Sequence, residues 1–131
     1  MTIISGCLAP PPAELLRAVH EFNRGEWFEC HETLEELWVG SVGELRHLYQ
    51  GLLQIAVALH HWKNGNYSGA VSLFEKGADH LRRLGRTCQG IDVGLIVAEA
   101  DRFQEALTHL GPERMSELDQ TLLPSLLLSS V

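Results

Sequence analysis

The sequence predicts an all-α protein, a compact array of about five helices with two helical hairpins at its centre. Three observations carry this. Leucine (22) and alanine (10) together far outnumber the 13 valines and isoleucines, and the first pair favours helix where the second favours strand. Apolar residues recur at three-to-four spacing along most of the chain. Short glycine, asparagine and proline breaks separate the periodic stretches. The 131 residues, 45% hydrophobic and 21% charged, have a globular composition and the length of one domain. They divide into a leader over 1–12, a helical domain over 13–111 and a C-terminal tail over 112–131.

Pro10, Pro11 and Pro12 close the leader and open a first helix over 13–23, with Leu15, Leu16, Val19 and Phe22 on its buried face. Asn23-Arg24-Gly25 stops it. A second helix is expected over 26–39 and a third, the longest, over 42–63. Asn64-Gly65-Asn66 then makes a tight turn into a fourth helix over 67–84. A loop over 90–94 leads to a fifth helix over 95–110, closed by Gly111-Pro112. Met115 to Leu123 reads as one short helix broken by Pro124. The leucine-rich end, Leu126 to Leu128, is either a tail docked on the core or an oligomer contact.

The charge balance narrows the partners. Ten Lys and Arg against 17 Asp and Glu give a net charge of −7, which disfavours nucleic acid and anionic membrane. No window resembles a membrane span or a signal peptide. Cys7, Cys30 and Cys88 stand far apart and form no CxxC pair. They therefore predict neither a disulfide framework nor a cysteine zinc site, and a reducing cytoplasm is the expected compartment.

An internal echo runs through the first half. Phe22 to Trp38 resembles Trp62 to Ala78, with Gly25 matching Gly65, Trp27 matching Tyr67, Cys30 matching Ala70 and Leu34 matching Phe74. Each copy reads as a helical hairpin with a small residue where the backbones approach.

Polar residues on apolar faces mark the candidate site. On the second helix His31 and Glu35 share the stripe that carries Trp27, Phe28 and Trp38, while Glu32 lies at its edge and Glu29 and Glu36 on the far side. On the third helix Arg46, Gln50, Gln54 and His61 form a polar stripe among Leu, Ile, Val and Ala. Buried polar groups need partners, so an Arg46–Glu35 or Arg46–Glu32 pair beside His31 is expected. The seam can be a buried polar network that fixes helix docking. It can also be a site for a small polar ligand or a divalent metal, with His31, Glu35 and His61 as ligands and His31 or Glu35 as a hydrolytic general base. The run is HETLE rather than HExxH, and the two Glu-x-x-His motifs of a di-iron bundle are missing. His20, His47, His60, His80 and His109 show no shared ligand spacing.

FNRGEWFECHETLEELW followed by RHLYQGLLQIAVALHHWKNGNYSGAVSLF resembles the family catalogued as domain of unknown function 309, small helical proteins of bacteria and archaea. The resemblance covers about 18–84 and implies a compact helical array with no assigned activity. It also implies that Asn23, His31, Glu32, Glu35, Trp38, Gln50, Gln54, His61, Asn66 and Gly69 belong to the family pattern. Cys30 departs from it, since a small residue such as alanine is commoner there. Two functional readings follow: a polar cleft that binds a small ligand or metal and performs hydrolysis, or a non-enzymatic, tetratricopeptide-like interaction module whose polar pattern is structural.

Overall fold

The computed structural model describes residues 6–128. It contains five helices, α1 (Ala13–Asn23), α2 (Trp27–Val39), α3 (Gly43–Lys63), α4 (Tyr67–Leu81) and α5 (Val93–Leu110). The fold class is all-α, with a single two-stranded ribbon, β1 (Thr87–Cys88) paired antiparallel with β2 (Ile91–Asp92). α3 is central. It packs most extensively on α4, then on α2; α1 lies on α2, and α5 closes against α4. Among the described residues no helix is long and apolar enough to cross a membrane.

The internal echo is a structural repeat. At the α1–α2 turn Gly25 N–H donates to Phe22 O at 3.1 Å and Glu26 N–H to Glu21 O at 2.9 Å. Forty residues on, Gly65 N–H donates to Trp62 O at 3.1 Å and Asn66 N–H to His61 O at 2.8 Å. Gly25 and Gly65 sit at φ 77° and 79°, the left-handed region that lets each chain reverse within three residues. In the second copy the Asn66 side chain accepts from Gly69 N–H at 3.0 Å, an N-cap. A Cβ on Gly69 would lie 2.6 Å from the Asn66 amide nitrogen, so cap and glycine require each other.

The core runs through all five helices. Phe22, Leu34, Leu52, Ile55, Phe74, Leu81, Ile96 and Phe103 are fully buried. An aromatic chain threads them: Trp27 meets Trp62 edge-on at 6.4 Å, Trp62 meets Phe103 at 5.4 Å, and Phe103 meets Phe74 at 5.1 Å. α3 and α4 approach so closely that a Cβ on Gly77 would fall 2.8 Å from Gly51 O.

Four expectations need correction. α4 ends at Leu81, not Leu84, and the chain turns into a ribbon where the sequence suggested a loop. Its two central residues, Gln89 (φ 47°) and Gly90 (φ 80°), both take positive φ, the geometry of a tight hairpin turn. Gln89 is unusual there, and it is held by Tyr49 Oη–H donating to its side-chain oxygen and by its own N–H donating to Cys7 O at 2.8 Å. α5 begins at Val93 because Asp92 caps it, accepting from Leu95 N–H at 3.0 Å. The tail is not one helix but two 3-10 turns, Met115–Glu117 and Gln120–Leu122, followed by extended chain. That extended end docks on the core: Leu126 is buried, and Asn23 clamps both its N–H (2.7 Å) and its C=O (2.9 Å).

The cysteines are the fourth. Cys7 and Cys88 form a disulfide across 81 residues, and only Cys30 is free. Distance in sequence hid the pair, because the leader folds back onto the ribbon. Cys30 is a packing residue: its thiol donates to Ala18 O at 3.3 Å, and burial raises its pKa far above the ordinary thiol range.

Two histidines without common spacing also meet. His47 on α3 and His80 on α4 bring their Nδ1 atoms to 3.0 Å, one donating and one accepting. Burial, then the neighbouring His47 and Arg83, hold His80 below the usual imidazole range, with Asp79 acting against them. The folded chain therefore binds this proton less readily than the unfolded chain. The stability this contributes is present above the unfolded imidazole value of about 6.5 and is lost as pH falls through the lowered folded value. Thermal melts from neutral pH downward are expected to show a falling melting temperature, with a shallower fall in His80→Gln.

Candidate functional site

The α2–α3 seam holds a small, partly open hollow of about 150 Å³ lined by His31, Glu35, Trp38, Gln50, Leu53 and Gln54. The first three come from one face of α2 at i, i+4 and i+7. The other three come from α3, with Gln50 and Gln54 one helical turn apart. The facing stripes meet because a short loop over 40–42 joins the two helices. Larger hollows of about 570 and 580 Å³ lie along α5 with the tail and beside the ribbon. These are surface grooves, and none of the orphaned polar atoms described next belongs to a residue lining them.

Among the described residues, four buried side-chain polar atoms have no hydrogen-bond partner: Trp27 Nε1, His31 Nδ1, Trp38 Nε1 and Gln54 Oε1. Three of the four belong to residues lining this cavity. An unsatisfied buried polar group costs on the order of 1–3 kcal/mol, and three in one small cavity is a concentration that packing alone does not explain. His31 is mostly buried, with its Nε2 3.4 Å from the Glu35 carboxylate, itself about half exposed. With the Glu35 carboxylate facing Nε2, a ring that carries its proton there presents a lone pair on Nδ1. The lining residues then carry two orphaned acceptors, His31 Nδ1 and Gln54 Oε1, and one orphaned donor, the Trp38 indole N–H.

The remaining expected residues are placed differently. Arg46 pairs with neither Glu35 nor Glu32. Its guanidinium stacks on the Trp38 ring at 4.1 Å and reaches Ser41 O at 3.5 Å. α3 starts one turn before Arg46, so this side chain meets the end of α2, where Trp38 stands, rather than its middle. Glu32 is exposed and does not line the cavity. His61 also stands away from it, at the α3–α4 turn, with its Nδ1 3.3 Å from the Asn66 amide. The set His31, Glu35 and His61 is thus not assembled. Among the described residues, the group of three His, Cys, Asp or Glu ligand atoms that does gather within 4.8 Å is Cys7, Glu44 and Cys88. Two lining residues were absent from the sequence-based site: Trp38, although it lies on the His31 stripe, and Leu53, for which no signal existed.

Fold and site define a class: two stacked helical hairpins with a small polar cleft between the second and third helices. Comparison with known proteins narrows this class. Residues 15–73 match the model for the domain of unknown function DUF309. It is 33% identical over 88 residues to an uncharacterized protein of Aquifex aeolicus (strain VF5), covering 66% of this chain and 26% of the relative. It is 36% identical over 75 residues to the uncharacterized protein YpuF of Bacillus subtilis (strain 168), covering 55% of this chain and 43% of the relative. The chain thus spans less than half the length of these curated relatives. A solved structure, a conserved hypothetical protein from Thermus thermophilus, superposes with a TM-score of 0.65 at 29% identity, covering 73% of this chain and 99% of that one. These comparisons indicate no specific function.

Proposed function

We propose that the α2–α3 cleft binds a small uncharged polar molecule, of which a primary carboxamide is the simplest form. The observation that carries this is the set of orphaned atoms on His31, Trp38 and Gln54 around one cavity. A carboxamide presents one acceptor and two donors, the complement of one indole N–H and two acceptors. The indole N–H cannot ligate a cation, which favours an uncharged ligand over a divalent metal held by His31 and Glu35. His31 Nδ1, oriented by Glu35 on the opposite ring nitrogen, is the group placed to accept a proton, so hydrolysis in this cleft would use it as general base.

The test is a titration of the ¹⁵N-labelled chain with acetamide, benzamide and nicotinamide, following the Trp38 indole N–H. A saturable shift is expected with at least one of them. It should be lost in Gln54→Leu, whose melting temperature should stay level or rise because an unsatisfied acceptor has been removed. No saturable shift at millimolar concentrations, together with lower melting temperatures in Gln54→Leu and His31→Ala, would make the seam a structural network. The interaction-module reading would then stand.

A further inference from the structure

Cys7, Glu44 and Cys88 reach one place from three separate parts of the chain: the leader, the first turn of α3 and the ribbon. Their ligand atoms all lie within 4.8 Å of one another. The two cysteines are joined as a disulfide. Cys88 is fully buried, whereas Cys7 is only partly buried and lines a surface groove with Leu8, Pro10 and Leu16. The Glu44 carboxylate has no ion-pair or hydrogen-bond partner among the described residues.

We infer that this cluster is a redox-gated site for a soft divalent cation, Zn²⁺ above all: closed as the disulfide, and able to take the metal when both cysteines are reduced. Reduction by a dithiol breaks the S–S bond, adds two electrons and two protons to give two thiols, and leaves the reductant as its own disulfide. Zn²⁺ then displaces both protons and bonds to two thiolates and the Glu44 oxygen. Two thiolates, one carboxylate and Zn²⁺ leave one net negative charge. A water would fill the fourth position, as in open three-ligand zinc sites.

The geometry supports this. Tetrahedral bonding at about 2.3 Å to sulfur and about 2.0 Å to oxygen sets the ligand atoms roughly 3.5–3.8 Å apart. The carboxylate therefore has little distance to close. The sulfurs must part from bonding contact, and Cys7, in a three-residue 3-10 turn, is the one whose segment can move. The two segments also stay together without the S–S bond, because Gln89 N–H donates to Cys7 O at 2.8 Å and Tyr49 holds the Gln89 side chain. Reduction thus leaves two thiols side by side next to the Glu44 carboxylate. Buried Cys30 is elsewhere, hydrogen-bonded to Ala18.

The test uses the full chain and Co²⁺, whose thiolate complexes absorb in the near ultraviolet. Reduction with a water-soluble phosphine, which takes up oxygen from water and becomes the phosphine oxide, should raise the thiol count from one to three per chain. The reduced chain is expected to bind one Co²⁺ with a sulfur-to-cobalt band, displaced by one equivalent of Zn²⁺. The oxidised chain should show no such band. Glu44→Gln, which leaves both cysteines and the fold intact, should weaken binding at least about 10-fold. Cys7→Ser should lose most of the band, and Cys30→Ser should keep it. A fully reduced chain with no sulfur-to-cobalt band at micromolar Co²⁺ would overturn the inference. So would equal affinity in Glu44→Gln.

Discussion

Gly77→Ala is expected to destabilise the folded chain by about 3 kcal/mol and to lower its melting temperature by roughly 10 °C. An added Cβ would fall 2.8 Å from Gly51 O, 2.8 Å from Ile55 Cγ1 and 3.1 Å from Ile55 N. Two of these three are backbone atoms of α3, so no rotamer change relieves them. The helices must separate, and α3–α4 is the largest packing contact in the molecule. Separation would also loosen the burial of Leu81 and Leu52, both fully inaccessible here. Gly85→Ala is the matched control: nothing lies within 4 Å of its added Cβ, and the expected change is within about 0.5 kcal/mol. Calorimetric melts of the two variants measure the difference. Equal melting temperatures would mean that the helices do not approach as described.

Phe103→Ala is expected to cost about 3–5 kcal/mol, a large share of the roughly 5–15 kcal/mol that keeps an ordinary domain folded. The ring is fully buried and sits against Phe74 at 5.1 Å and Trp62 edge-on at 5.4 Å. Truncation leaves a cavity between α3, α4 and α5 that two large aromatics cannot refill from fixed helix positions. Phe103 lies beyond the 15–73 segment matched by the family model. A large loss therefore shows that α5 is part of the same cooperative core as the two hairpins. Denaturant unfolding followed by tryptophan fluorescence reads it directly, since Trp62 is one of the ring's neighbours. A loss below about 1 kcal/mol would mean that α5 is a separable addition.

Much of the candidate site was legible in the sequence. His31, Glu35, Gln50 and Gln54 share faces by helical periodicity, and the short α2–α3 loop made those faces meet. The Arg46 error has a specific cause. Periodicity gives direction around a helix but not the offset between two helices along their axes. That offset puts Arg46 over Trp38 at 4.1 Å instead of beside a carboxylate. His61 failed for the same reason, since it lies on the right stripe but too far along it. The orphaned atoms that support a ligand were beyond reach in any sequence reading. Satisfaction of a hydrogen bond depends on positions of a few tenths of an ångström, and residue type does not record them.

The sequence by itself determined the helical class, the start of α1, the two glycine turns and the echo between them. These follow from local rules of apolar spacing, capping and positive φ, which act over a few residues. Only the tertiary structure decided the Gly51–Gly77 crossing, the His47–His80 contact, the Asn23 clamp on Leu126 and the Cys7–Cys88 bond. Each joins residues 26 or more positions apart. Such pairs are chosen by how whole helices slide and stack to exclude water, and a local pattern of side chains carries no record of that choice.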